Sequence, residues 1–294
     1  MSSLIAHLSR RRFLSTAAAT TGVLAFPGLA RAETTLERIK SSGTVTVGIA
    51  NERPYGFVET DGTLAGAIPD IIAAALKPHG VNALKVEVVE FSAMIPGINA
   101  KRFDIIGAGM YINPTRCQAI IFSNPVTRAG YGFAALAGNP KGVHSLADLA
   151  KSDALVGTQN GSAQVEELTK AGVPQDRVVL FANATEALAG MKAQRVDVIY
   201  FPGLELGDLL KTANDAAVER VEPFQQEIGA DGKPQYGYSA LGLRQADADL
   251  QSVLNEEISK MLASGQLLEI ISKYGYGKDE LPTPEDTAER LCKA

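Results

Sequence analysis

From residue 33 onward the apolar and polar positions fall into short runs that alternate between two periods. Residues 44–50 (TVTVGIA) form a β-branched run after Gly43, which predicts a strand. Asp61-Gly62 marks a hairpin turn between residues 57–58 and 64–65. In 69–76, Pro69 suits a first helical turn and Ile71, Ile72 and Leu76 recur at helical spacing. A strand over 85–90, a helix over 94–100 and a buried strand over 104–107 follow. The second half repeats this order. Strands are predicted at 131–137, 154–157, 178–181 and 196–200. Helices are predicted at 146–150 behind Ser145, at 162–171 and at 185–193. Asp197-Val198-Ile199 mirrors Asp104-Ile105-Ile106, and Thr185 before a helix mirrors Ser92 before a helix. The last part is helical, over 249–263, 267–274 and 285–292. This alternation predicts an α/β protein with mostly parallel sheets, and the duplicated grammar predicts two similar lobes.

The first 32 residues do not follow this pattern. Arg10-Arg11-Arg12-Phe13-Leu14 precedes a mild apolar stretch that ends in Ala30-Arg31-Ala32. A basic region, a short apolar region and small residues at a cut describe an export signal, here of twin-arginine type. Residues 1–32 are therefore expected to be a signal peptide, and the protein to be periplasmic. They hold four arginines and no acid, so the rest of the chain is more acidic than the whole-chain charge of −5. That balance argues against a nucleic-acid partner, which would need clustered Lys and Arg. Cys117 and Cys292 are the two cysteines. Export puts them where a disulfide would persist; two unrelated buried thiols is the other reading. Their spacing fits no metal pattern, and no metal or cofactor is expected.

Candidate chemistry sits at strand ends and βα turns, where ligands bind in open α/β sheets. Glu52 and Tyr55 follow the first strand, and Phe91 follows another. Tyr111 and Arg116 follow a third, and Phe201-Pro202 follow the strand over 196–200. The turn GTQNGS at 157–162 opens a helix, so the N–H groups near Gly161 and Ser162 could meet an anion. It lacks the glycine pattern of a dinucleotide site. His79 and His144 read as surface residues, and no nucleophile–base pair is suggested.

The motif series GTVTVGI at 43–49, GTLAGAIPD at 62–70, MIPG at 94–97, RFD at 102–104, Thr115-Arg116 and IFSNP at 121–125 resembles the extracellular solute-binding proteins of ABC importers, polar-amino-acid type (family 3). The likeness covers essentially the whole chain after the signal. It implies a two-lobed Venus-flytrap fold of type II with the ligand in the cleft between lobes. It also implies delivery to a membrane permease and its ATPase, by a monomer with no catalytic residues. Within that group, IANE at 49–52, AMIPG at 93–97, NPTRC at 113–117 and ERLC at 289–292 look like the ectoine/hydroxyectoine binders. The two cysteines stand at the matching places, which supports a Cys117–Cys292 bridge. Amino-acid binders usually hold the ligand amine with an Asp just after the strand that here ends at Tyr200; this chain has Phe201-Pro202 there.

The resemblance implies a small zwitterionic ligand and gives the candidates roles. Arg116 would clamp the carboxylate, helped by the helix start at Gly161, Ser162 and Ala163. Glu52 would face the cationic group, ionised beside it. Tyr55, Phe91 and Tyr111 would form an aromatic box, and Phe201 and Pro202 would close the far side. Ectoine binders tend to carry Thr where this chain has Ala163 and Tyr where it has Phe91. The expected organisation is lobe 1 from 33–126 plus 244–294, lobe 2 from 131–238, and hinge strands near 127–130 and 239–243. The alternatives are a binder of glutamine or arginine and a cyclohexadienyl-dehydratase-like enzyme on the same fold.

Overall fold

The computed structural model describes residues 33–293 apart from 230, 231 and 233. The expected signal peptide lies outside the described residues. The described chain begins with α1 (Thr35–Ser42), whose Thr34 cap accepts from the Glu37 N–H, and Gly43 in a left-handed conformation ends it. β1 (Thr44–Ile49), the hairpin β2 (Phe57–Val58) and β3 (Leu64–Ala65), α2 (Ala67–Leu76), β4 (Ala83–Val88), α3 (Met94–Asn99) and β5 (Ile105–Ile106) follow. Next come α4 (Pro114–Cys117) and β6 (Ile121–Phe122). The chain then leaves this region through β7 (Thr127–Ala129).

The next stretch runs through β8 (Tyr131–Leu136), α5 (Leu146–Lys151), β9 (Val156–Gln159), α6 (Ala163–Lys170) and β10 (Val178–Phe181). It continues with α7 (Ala184–Lys192), β11 (Val198–Pro202), α8 (Gly203–Ala213) and β12 (Val218–Arg220). It returns through β13 (Gly237–Ser239) to β14 (Gly242–Leu243), α9 (Ala248–Ser264), α10 (Gln266–Ser272) and α11 (Ala288–Leu291).

Two five-stranded sheets result, ordered β4-β1-β5-β14-β6 and β10-β9-β11-β8-β12. In each, three neighbouring strands are parallel and the fourth runs antiparallel to both its neighbours. The fourth strand is β14 in one sheet and β8 in the other, and each follows directly from a crossing segment. Four strands of each sheet thus point one way, as expected of mostly parallel sheets, and the single reversed strand is the one fed from the other lobe, which enters from the opposite end. The two crossing segments pair with each other, Thr127 opposite Ser239 and Ala129 opposite Gly237. Gly242-Leu243 already pairs within the first sheet, so the return crossing is β13, earlier than the expected 239–243.

Each sheet is covered on both faces, because alternate side chains of a strand point oppositely. In β11, Val198 and Tyr200 pack with Leu146, Leu149 and Leu168, whereas Ile199 and Phe201 pack with Leu188, Met191 and Leu206. In the first sheet, Val45, Val47 and Ile49 pack under α2, α9 and α10. Phe103, Ile106 and Phe122 pack under α3 and reach Ala288 of α11. The structure bonds Cys117 of α4 to Cys292 just after α11, closing a separation of 175 residues. No helix among the described residues is long and apolar enough to cross a membrane.

Several local features differ from the sequence pattern. α7 begins at Ala184, one residue before the expected 185, and Asn183 caps it by accepting from the Glu186 N–H. Ser92 lies inside a short 3-10 turn rather than capping a helix. The helix α8 was not anticipated, since Pro202-Gly203 at its start carries the signature of a turn.

Candidate functional site

A cavity lies between the strand ends of the two sheets. Glu52, Tyr55, Phe91, Tyr111 and Arg116 line it from the first lobe, with Ala108 and Gly109. Gln159, Ser162, Ala163, Gln164, Phe201, Pro202 and Glu205 line it from the second. Its volume is about 20 Å³, room for roughly one water molecule. Hydrogen bonds between the lobes hold them together around it, one of them from the Tyr55 hydroxyl to the Glu205 carboxyl. Arg116 Nη2 donates to the Gly161 carbonyl at 2.8 Å, Asn113 Nδ2 donates to Glu166 at 3.3 Å, and Gln159 Nε2 donates to the Glu52 carboxylate.

Arg116 sits at one end. Asn113 caps α4 by accepting from the Arg116 N–H at 2.8 Å, which fixes where the side chain starts. The guanidinium is buried and also donates to the Tyr111 carbonyl at 2.6 Å. Its carbon lies 5.5 Å from the centre of the Phe91 ring. Burial pulls its pKa down to about 10, so it keeps its charge at neutral pH. Gly161 does not line this cavity; it presents its carbonyl to Arg116. Ser162 caps α6 without a side-chain hydrogen bond, and its hydroxyl is buried with no partner.

The walls are aromatic and tightly set. Gly109 has φ +64°, and a Cβ there would lie 2.2 Å from the Tyr55 ring. A Cβ on Gly237 of the return crossing would lie 1.9 Å from the Tyr111 ring. Both rings therefore rest on bare backbone, which fixes their planes. Tyr111 also meets Tyr131 edge to face at 6.0 Å.

The other end is acidic. Glu52 is half-buried, and burial pushes its pKa up to about 8, against the pull of the Gln159 hydrogen bond. With no cationic group beside it, closure therefore favours the protonated form of Glu52. Glu205, on the first turn of α8, is 5% exposed, and its Oε1 has no hydrogen-bond partner. Burial, then the neighbouring Glu52, push its pKa well above the carboxylate range; the Tyr55 hydroxyl acts in the opposite direction. Glu52 and Glu205 also line an outer groove of about 570 Å³ that continues from this end.

Nine of the ten sequence-derived candidates line one cavity. Sequence reasoning missed Gln159, Gln164 and Glu205. Gln159 and Gln164 are neutral amides without a motif. Glu205 was missed with its helix, although Leu206, Leu209 and Leu210 after Pro202 carried a helical period.

The model of bacterial extracellular solute-binding proteins, family 3, matches residues 45–277. A Sinorhizobium fredii protein named "Probable amino-acid ABC transporter periplasmic-binding protein y4tE" is 30% identical over 88% of this chain and 86% of its own. A crystal structure of EhuB in complex with hydroxyectoine superposes with a TM-score of 0.80 at 33% identity, covering 89% of this chain and 99% of that one. An ancestral arginine-binding protein bound to arginine gives 0.68 at 28% identity, covering 80% and 99%. With the two-lobed fold and the cavity between its sheets, these likenesses place the chain: it belongs to the bacterial extracellular solute-binding proteins, family 3, as the substrate-binding component of an ABC transporter of the amino-acid type.

Proposed function

We propose that the protein captures a small zwitterionic compatible solute, ectoine or hydroxyectoine, in the periplasm and delivers it to a membrane permease and its ATPase. The observation that carries this reading is the polarity of the cavity. A buried Arg116 stands at one end, an acid at the other and aromatic rings between them. Arg116 takes the solute carboxylate in a charge-assisted pair, trading the Gly161 carbonyl for it. Ser162, whose hydroxyl has no partner, and the start of α6 at Ala163 add donors to the same group. Glu52 takes the amidinium alongside its hydrogen bond from Gln159. Tyr55, Phe91 and Tyr111 enclose the ring, each cation–π contact contributing about 2 kcal/mol at most. Phe201 and Pro202 close the second-lobe side. The hydroxyectoine complex of the 33%-identical EhuB supports this ligand class.

A cavity of about 20 Å³ admits such a solute only if the lobes part, so β7 and β13 act as the hinge. Lobe 1 is then 33–126 with 244–294, and lobe 2 is 131–238. Residues 1–32 are the twin-arginine export signal, removed before the protein works as a monomer.

One observation favours a second reading. Glu205 gives the cavity an additional acid, which suits an amino acid with a cationic side chain such as arginine. Calorimetric titration with ectoine, hydroxyectoine, glutamine and arginine separates the readings. Heat with the first two is expected, and its absence would discard the compatible-solute assignment.

A further inference from the structure

Glu205 carries an inference that deepens the zwitterion reading and rests on it. Its carboxyl lies in the same cavity as that of Glu52, one from each lobe, and its Oε1 is buried with no partner. Arg116 does not offset this end; the acids that act on it are Glu166 and Glu167. Arg53, beside Glu52 in the outer groove, is already paired with Glu59 at 2.5 Å. The other groups facing the pair are the phenols of Tyr55, Tyr111 and Tyr276, all neutral, and the acids Asp208 and Glu186. Two carboxyl groups therefore face whatever cationic group enters.

We propose that Glu205 is a specificity-determining residue: it pairs as a carboxylate with a solute that carries two positive groups, and it keeps a proton beside a solute that carries one. In a water-poor site each charge needs an opposite charge beside it. Arg116 is balanced by the solute carboxylate in either case. One positive group neutralises Glu52 and leaves Glu205 with the Tyr55 hydroxyl but no charged partner. A buried unpaired carboxylate is costly enough to take up a proton instead. Two positive groups give each carboxylate a partner, and no proton is needed.

Parting the lobes exposes both groups, which are then ionised at neutral pH. Closing over a singly positive zwitterion takes up one proton. Its affinity is therefore highest at low pH and falls by up to tenfold per pH unit as pH rises, until the closed-form pKa is passed. The fall begins above the ordinary carboxylate range, where the open form ionises, and runs up to the raised pKa of the closed form, so it spans neutral pH. A doubly positive solute shows little dependence over the same range.

The test is calorimetric titration of the exported protein with hydroxyectoine and with arginine, at pH 6, 7 and 8, in two buffers of different protonation enthalpy. Expected are uptake of about one proton with hydroxyectoine, almost none with arginine, and an affinity that falls with rising pH for hydroxyectoine but stays nearly level for arginine. In Glu205→Gln the uptake should vanish, and the arginine-to-hydroxyectoine affinity ratio should drop tenfold or more. Equal proton counts for the two solutes, or a Glu205→Gln protein with unchanged uptake and ratio, would overturn the proposal. Should Glu205→Gln fail to fold, the wild-type proton counts decide alone. Absence of binding to either solute would instead remove the zwitterion reading, and this proposal with it.

Discussion

The two ends of the cavity are built in opposite ways. At the basic end, Arg116 has a capped helix behind it, two carbonyls on its guanidinium and a ring across its face. The helix that carries it is tied by Cys117 to the chain's last helix. At the acidic end, Glu52 leans on one amide from the other lobe, and Glu205 has an oxygen with no partner. The basic end is held in place before any solute arrives, so it loses little freedom on binding. The acidic end is under-satisfied, so its state depends on what enters. On the proposed reading, the first end would supply affinity for a carboxylate and the second would decide which cation accompanies it.

The largest test removes the basic end. Arg116→Ala should weaken binding by about 3–5 kcal/mol, because a buried solute carboxylate would lose its charge partner. Calorimetry that finds affinity retained would place the solute elsewhere. Next, Cys292→Ser should lower unfolding stability by about 2–4 kcal/mol, measured by denaturant titration. Binding should survive in the folded fraction, since the bridge supports α4 from outside the cavity. A variant equally stable would mean that the bridge does not staple the C-terminal part to the first lobe.

At the acidic end, Gln159→Ala should weaken hydroxyectoine binding about tenfold, the scale of one hydrogen bond to a charged group. Gln159 helps Glu52 ionise, and it links the lobes. An unchanged affinity would make that contact incidental. The smallest effect is expected at Phe91→Leu, which removes the ring beside Arg116 but keeps the bulk. A loss of about threefold, near 0.5–1 kcal/mol, is expected from a cation–π contact of this kind. A loss as large as that of Arg116→Ala would move the ring from a wall to a principal contact.

The same contrast governs what the sequence made legible. Arg116 could be found because it follows the strand over 104–107 and lies in the motif NPTRC at 113–117. The repeated order of strands and helices, and the strand ends that bear Glu52, Phe91 and Phe201, were legible for the same reason. Glu205 was not. Pro202-Gly203 reads as a turn, but Pro202 ends β11 and α8 begins at once, which turns Glu205 inward. The short strands β6 and β14 were also invisible, because the pairing of β14 with β6 and with β5, not local preference, makes them strands. The antiparallel fourth strand of each sheet belongs with them. It follows from how the chain crosses between lobes, and no local window contains that information.

The central claim is that Arg116 takes the solute carboxylate while Glu52 takes its cationic group. A crystal structure of the protein grown with hydroxyectoine tests this most directly. The account predicts the carboxylate within hydrogen-bond distance of the Arg116 guanidinium and the amidinium against Glu52, with Tyr55, Phe91 and Tyr111 around the ring. A solute seated with its carboxylate away from Arg116, or outside this cavity, would contradict it.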